Sequence, residues 1–398
     1  MYNEYFFILD ALRADHLKYM PWLNSKINDG LFSDNYSISE GFCERIEVFT
    51  GQKPFDHGFI TAFTLEYNNR FIYPYNWLSP SLGKYLSLID KNAFFSKIIR
   101  RILWKICSYL SKYPIYSQRI PLNILPKVGI TEDSFDFEKM SLKYKSGLIF
   151  KLKNNGFKID WSLFTSLISQ KQISDYQRLD KLLNYKTKKK ILIPIYISLP
   201  DKYGHKFGPH SMELIKSLNE LDKKLEKTIS TLLKINPKSG ITLIGDHGMD
   251  SVNDSINIDA ILSMVECLTG LKRFLDFDFF LDSTILRIWW KGSKENKYLF
   301  FNHLKKNNEL KKKGYFIDSK NLIDGSKDYT FIADFVWWAK KGIIINPDFF
   351  SKSDVKLKGM HGYLEIDKPS SGFFLRIKEN IISKKYFNIK SRSIDEFF

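Results

Sequence analysis

The chain has 398 residues, of which 44% are hydrophobic, 26% charged and 16% aromatic. That composition excludes a disordered or fibrous chain and leaves one elaborate domain or two to three ordinary ones. Its 61 Lys and Arg against 44 Asp and Glu give a formal charge of +17, which favours an anionic partner (phosphate ester, nucleic acid or acidic membrane) without choosing among them.

Cys43, Cys107 and Cys267 are odd in number and far apart, which argues against a disulfide framework and for a reducing compartment. The N-terminus lacks the pattern of a secretory leader, and no stretch reaches 18 uninterrupted apolar residues. The expectation is a soluble or peripherally membrane-bound cytoplasmic protein.

In chain order, YFFILD is an apolar run ending at Asp10, as a buried parallel strand would read. SEGFCERIEVFTG, residues 39–51, reads as a loop entering a helix. Residues 81–190 hold little strand signal and many basic and aromatic side chains, suggesting a helical insertion. Within them, residues 94–113 space Phe95, Ile98, Ile99, Ile102, Leu103, Ile106, Tyr109 and Leu110 helically, with Lys97, Arg100, Arg101, Lys105 and Lys112 opposite. Such a helix either rests on an anionic membrane surface or packs its apolar face on the protein's own core.

ILIPIYISLPD and GITLIGDHG are two further apolar runs, ending near Asp201 and Asp246. Between them, residues 212–235 have the spacing of an amphipathic helix. Strands that deliver acids at their C-terminal ends predict an α/β fold, a mostly parallel central sheet with helices on both faces and its site at that edge. Residues 256–355 alternate aromatic runs with lysine-rich segments and read as an inserted cap. The expected organisation is therefore core 1–80, insertion 81–190, core 191–255, cap 256–355 and core 356–398.

The chain has only seven histidines, and three fall in similar motifs. PDKYGHKFGP carries Asp201 and His205, an acid and an imidazole able to face one cation across a glycine-containing turn. GDHGMD carries Asp246 and His247, and MHGYLE carries His361. With Asp10 these make six candidate ligands, a mix of carboxylate and imidazole that suits Zn²⁺, or alternatively Mn²⁺.

The ordered set ILDALRADHL, TGQKPFDHGF, PDKYGHKFGP, GDHGMD and MHGYLEIDKPSSGFF resembles the alkaline phosphatase superfamily, nearest its nucleotide pyrophosphatase/phosphodiesterase branch. The resemblance implies two metal ions. Asp201, His205 and His361 would hold one, and Asp10, Asp246 and His247 the other. It also implies a Thr or Ser nucleophile opening a helix nine residues before the Thr50–Gly51 pair, which is Gly41 in this chain.

Three attackers remain open: the Cys43 thiol, the Ser39 hydroxyl, or hydroxide or an acceptor alcohol attacking directly. Arg45 is the candidate anion contact, and the Cys-x-Pro-x-Arg signature of the sulfatase branch is absent. The implied activity is that of a two-metal phosphodiesterase or nucleotide pyrophosphatase acting on a phosphate-ester or lipid-linked substrate. The alternatives are a phosphoryl or phosphodiester transferase with a glycan or lipid-linked acceptor at the inner membrane surface, as in glycan biosynthesis, and a non-catalytic phospho-glycan or phospholipid binder. No motif for nucleic-acid base readout is present.

Overall fold

The computed structural model describes residues 2–39, 41–65, 71–89, 92–111, 119–164, 173–185, 190–317, 333–349, 356–379, 383–386 and 388–398. In chain order, β1 (Glu4–Leu9) is followed by β2 (Leu31–Ser37), α1 (Glu44–Thr50), α2 (Ala93–Leu110), α3 (Gly147–Asn154) and β3 (Lys158–Ile159). Then come β4 (Ile191–Ile197), α4 (Leu199–Phe207), α5 (Met212–Ile235) and β5 (Gly240–Ile244). The cap strands β6 (Phe277–Leu281), β7 (Ile285–Trp290), β8 (Gly314–Ile317) and β9 (Phe335–Ala339) precede β10 (Gly372–Ile377), β11 (Lys384–Tyr386) and β12 (Ile389–Lys390).

The main sheet runs β11-β2-β10-β5-β1-β4-β3, with β12 also paired to β2. β1 is parallel to both β4 and β5, β3 is parallel to β4, and β11 and β12 are parallel to β2. Only β10 runs antiparallel to its neighbours. This is the expected mixed α/β sheet.

Alternation along β1 explains why both faces are covered. Tyr5, Phe7 and Leu9 join Leu214, Leu218, Leu221 and Leu225 of α5 on one side. Phe6 and Ile8 join Val48 and Phe49 of α1 and Leu148 of α3 on the other. Each such buried side chain contributes roughly 1.5–3 kcal/mol of transfer free energy, so β1, buried along its whole length, is pinned from both faces.

Residues 81–190 divide between two places. α2 packs through Leu103 and Cys107 into the cluster that also holds the cap strands. α3 instead packs under α1, and β3 extends the main sheet. The cap region forms an antiparallel sheet in the order β6-β7-β9-β8, with Phe277, Phe300 and Leu304 among its packed core.

Candidate metal centre

The site lies where β5, β1 and β4 end side by side, the edge at which parallel sheets expose their loops. Asp10 follows β1 directly, and its backbone N–H donates to Ile197 O at 3.0 Å. Asp246 lies two residues past β5, where its Oδ1 accepts from the backbone N–H groups of Ala11 and His247, both at 3.1 Å.

Asp201 departs from the expected strand end and turn: β4 stops at Ile197, and α4 carries Asp201 and His205 one helical turn apart. His205 Nε2 lies 3.0 Å from Asp201 Oδ1. His361 follows a short bridge in which Gly359 and Met360 pair with Ser251 and Asp250, which brings it to the same edge. Its Nε2 lies 3.5 Å from Asp201 Oδ1, and its ring stacks on His247 with centroids 4.0 Å apart.

Two imidazoles are oriented by backbone carbonyls. His205 Nδ1 lies 2.9 Å from Gly359 O, and His247 Nδ1 lies 2.9 Å from Gly248 O. A carbonyl only accepts, so both Nδ1 atoms carry the proton and both Nε2 atoms are left for the site. His247 Nε2 stands 3.2 Å from Asp10 Oδ1 and 3.9 Å from Asp246 Oδ1. The Tyr196 hydroxyl donates to the other Asp10 oxygen.

Burial and the nearby Asp201 push Asp10 up to about 6. Burial, with Asp10 adding to it, pushes Asp246 up to about 7. Carboxylates crowded in a buried pocket disfavour their own charge and call for a cation. Ligand atoms within 4.8 Å of one another form three groups among the described residues: Asp201/His205/His361, Asp10/Asp246/His247 and Glu44/His247/His361. The first two are the sets that the family resemblance implied, and the donor atoms suit divalent cations.

The third group holds a residue that sequence reasoning missed. Glu44 opens α1, and its Oε1 is 3.5 Å from His247 Nε2. Its sequence signal was slight, an acid at the start of a short helix in a stretch already crowded with charge. Gly41, where counting back from Thr50 led, is not helical. It turns at φ 115°, and a Cβ there would meet Ile60 O at 2.3 Å.

Cys43 is placed differently from the expectation of a reactive thiolate. It precedes α1 and is buried among Ile46, Phe59, Phe71 and Met140, outside the residues that line the cavities at the metal groups. Burial, with Glu132 and Glu44 nearby, pushes its thiol well above the ordinary value.

Arg45 does line a cavity at the site, but it is engaged by two buried acids. Its Nε donates to Glu132 at 2.7 Å, and its Nη1 pairs with Asp133 at 3.2 Å. Ser39 borders the site from another side, with its backbone N–H donating to Glu47 at 2.8 Å.

Two cavities meet at the cluster. One of about 340 Å³ is lined by Phe42, Arg45, Thr61, Asp282, Leu357 and Met360 together with the six candidate ligands. Asp282 and Ser283 reach it from the β6–β7 turn of the cap. The other, about 270 Å³, is lined by Ser39, Gly41, Tyr363, Lys368 and Ser370. Glu44, His247 and His361 belong to both. A larger cleft of about 1110 Å³, beside Trp77, Leu110 and Lys127, holds none of these groups.

The profile of the type I phosphodiesterase / nucleotide pyrophosphatase family matches residues 113–364. That range holds five of the six candidate ligands, and Asp10 and Glu44 precede it. Among curated proteins, a venom phosphodiesterase of Naja atra is 32% identical over 117 residues, 29% of this chain and 13% of its own length. Venom phosphodiesterase 2 of Crotalus adamanteus is 37% identical over 70 residues, 17% of this chain and 9% of its own length. The chain thus aligns with only about a tenth of these relatives' length.

Among solved structures, human ectonucleotide pyrophosphatase/phosphodiesterase 5 superposes with a TM-score of 0.64 at 15% identity, covering 99% of this chain and 93% of its own. An inactive form of the murine protein, in complex with AMP, superposes at 0.62 and 15% identity, covering 100% of this chain and 94% of its own.

Proposed function

Because the chain belongs to the type I phosphodiesterase / nucleotide pyrophosphatase family, we propose that it breaks a phosphodiester or phosphoanhydride bond at the carboxylate–imidazole cluster. The observation that carries this is the convergence of three aspartates and three histidines on one cavity. In this reading Asp201, His205 and His361 hold one divalent cation and Asp10, Asp246 and His247 a second, with zinc suiting the donors best and manganese next. Such a pair, when bound, polarises the phosphoryl oxygens and offsets the charge that builds during an in-line displacement.

The chain's own groups fix the geometry. Gly359 O and Gly248 O set the tautomers of His205 and His247. The Ala11 N–H and Tyr196 hydroxyl hold the carboxylates of Asp246 and Asp10. Phe42, Leu357 and Met360 give the 340 Å³ cavity an apolar lining that limits water around the ester. The AMP carried by the murine neighbour supports a nucleotide-sized ester as the substrate class.

We read the attack as direct, by water or by an acceptor hydroxyl, because the Cys43 thiol is packed among apolar side chains and Ser39 borders the second cavity rather than the one that all six candidate ligands line. The second cavity, meeting the first at Glu44, His247 and His361, leaves room for an acceptor and favours transfer as the second reading. The test is cation-dependent release of nitrophenol from bis-(p-nitrophenyl) phosphate, with sugar and lipid alcohols added in parallel. Release that stops with chelator supports the enzyme. Loaded protein that is inert with and without every acceptor leaves only a phospho-ligand binder.

The partner surface follows from α2. Leu103, Cys107 and Arg100 are buried and Ile99 packs against the same core, and the Arg100 guanidinium donates to Ile120 O at 2.9 Å. Phe94, Ile98, Ile102 and Tyr109 face outward, Tyr109 with 90% of its surface exposed. Lys97, Arg101 and Lys105 flank them, and α2 carries no acid. We therefore read α2 as resting on an anionic membrane, at the inner face in a reducing compartment. Among the described residues no helix is long and apolar enough to cross a membrane. Sedimentation with phosphatidylglycerol vesicles should fall at least tenfold for the double change Ile98→Ser and Ile102→Ser, with melting unchanged. Equal sedimentation would exclude this face.

A further inference from the structure

Glu44 has no place in the six-ligand scheme, yet its carboxylate lies where the two half-sites meet. Its side chain is nine-tenths buried, and its Oε1 accepts no hydrogen bond. A buried carboxylate oxygen left without a donor is costly, and native structures keep one where an ion or a reacting group satisfies it. Its recorded polar neighbour is His247 Nε2 at 3.5 Å, and its ligand atom shares a 4.8 Å group with those of His247 and His361. His247 belongs to one half-site and His361 to the other. Glu44 also borders both cavities.

The backbone explains how it arrives there. Gly41 turns against Ile60, with Phe42 N–H donating to Ile60 O at 2.8 Å, and that turn delays the start of α1 to residue 44. Arg45, the next residue, is anchored by Glu132 and Asp133, and the Ile46 N–H donates to Glu132 at 3.1 Å. With the Gly41 turn before it and Arg45 and Ile46 anchored after it, the Glu44 side chain faces the ligands. Charge agrees: Asp10, Asp201 and Asp246 supply three negative charges with neutral imidazoles, one short of balancing two divalent cations. Glu44 supplies the fourth.

We propose that Glu44 is a seventh ligand, a carboxylate shared between the two cations. The assignment rests on the two-cation reading above. It gives Glu44 a role in holding the cations and leaves the attack to an external water or acceptor hydroxyl.

The test counts cations rather than turnover. Metal-free full-length protein is titrated calorimetrically with Zn²⁺, and bound zinc is measured after equilibrium dialysis. Wild type should bind two. Glu44→Gln, which keeps the shape and removes the charge, should hold its weaker zinc at least tenfold less tightly and gain less in melting temperature from added zinc. Glu44→Asp should recover part of the loss. Two zinc ions bound with wild-type affinity in Glu44→Gln would overturn the assignment. So would a hydroxylamine-labile phosphoryl group on Glu44 after quenching with substrate, which would make it the nucleophile. Wild type that binds no cation would instead sink the two-cation reading itself, and the two failures are distinct.

Discussion

The two half-sites are built from the same residue types in opposite proportions. Asp201, His205 and His361 set one acid against two imidazoles, while Asp10, Asp246 and His247 set two acids against one. Their surroundings differ in the same sense. The Asp201 side chain keeps 20% of its surface exposed and that of Asp246 only 3%. Burial works to raise Asp201, but His205 and His361 outweigh it and hold the carboxyl below its usual range. In the other half-site burial prevails, with Asp10 at about 6 and Asp246 at about 7. The first set nearly balances itself, whereas the second carries surplus buried negative charge that a cation would relieve. The second should therefore bind its cation more tightly, and the more open imidazole-rich half should lose its cation first to a chelator.

The largest effect is expected from Asp246→Asn, which should lower kcat/KM on the order of 10³-fold and remove the tighter cation. His205→Ala should cost on the order of 10²-fold and recover with excess zinc, because its partners Asp201 and His361 remain. Activity measured across a zinc titration separates the two. Equal losses, both beyond rescue, would erase the contrast between the half-sites.

That contrast was partly legible in the residues. The apolar runs ending near Asp10 and Asp246 marked the central strands and their open edge, because a buried parallel strand leaves an unbroken apolar signature. The match of Asp201 to His205 was visible as a spacing, but its setting was not. IYISLPD reads on as strand, and only the structure shows that the helix begins at Leu199. Glu44 was hidden for a different reason. Counting back from Thr50 assumes that the helix runs unbroken, and the turn at Gly41, set by a contact with Ile60 far along the chain, breaks that assumption.

A buried histidine away from the acid cluster sharpens the comparison. His247 faces Asp246, Asp10 and Glu44, and although burial opposes its charge these acids raise it well above the usual value. His16 is buried too but has Pro209 O at 2.8 Å from its Nε2, and burial lowers it to about 4 from 6.5. Between those values the unfolded chain binds the extra proton, so stability rises with pH there. The contribution is complete above pH 6.5 and lost as pH falls toward 4, at most about 3 kcal/mol. His16→Gln should flatten denaturation midpoints measured from pH 6.5 down to 4 relative to wild type. Parallel curves would show that this imidazole does not titrate as its burial implies.

The smallest effect is expected where the sequence drew most attention. Cys43 and Glu44 are adjacent, yet they belong to opposite environments: the carboxylate enters the ligand cluster, and the thiol packs with Ile46, Phe59, Phe71 and Met140. A thiol raised by burial is a poor nucleophile and behaves as a small apolar group. Cys43→Ala should leave kcat/KM within about threefold of wild type and cost on the order of 1 kcal/mol of stability from the small cavity. Both are measured on one preparation, by turnover and by denaturant melts. A folded variant that lost a hundredfold or more of its turnover would mean that the thiol reaches the phosphoryl group after all. In that case the partition between Cys43 and Glu44, and with it the direct attack proposed for this site, would have to be reversed.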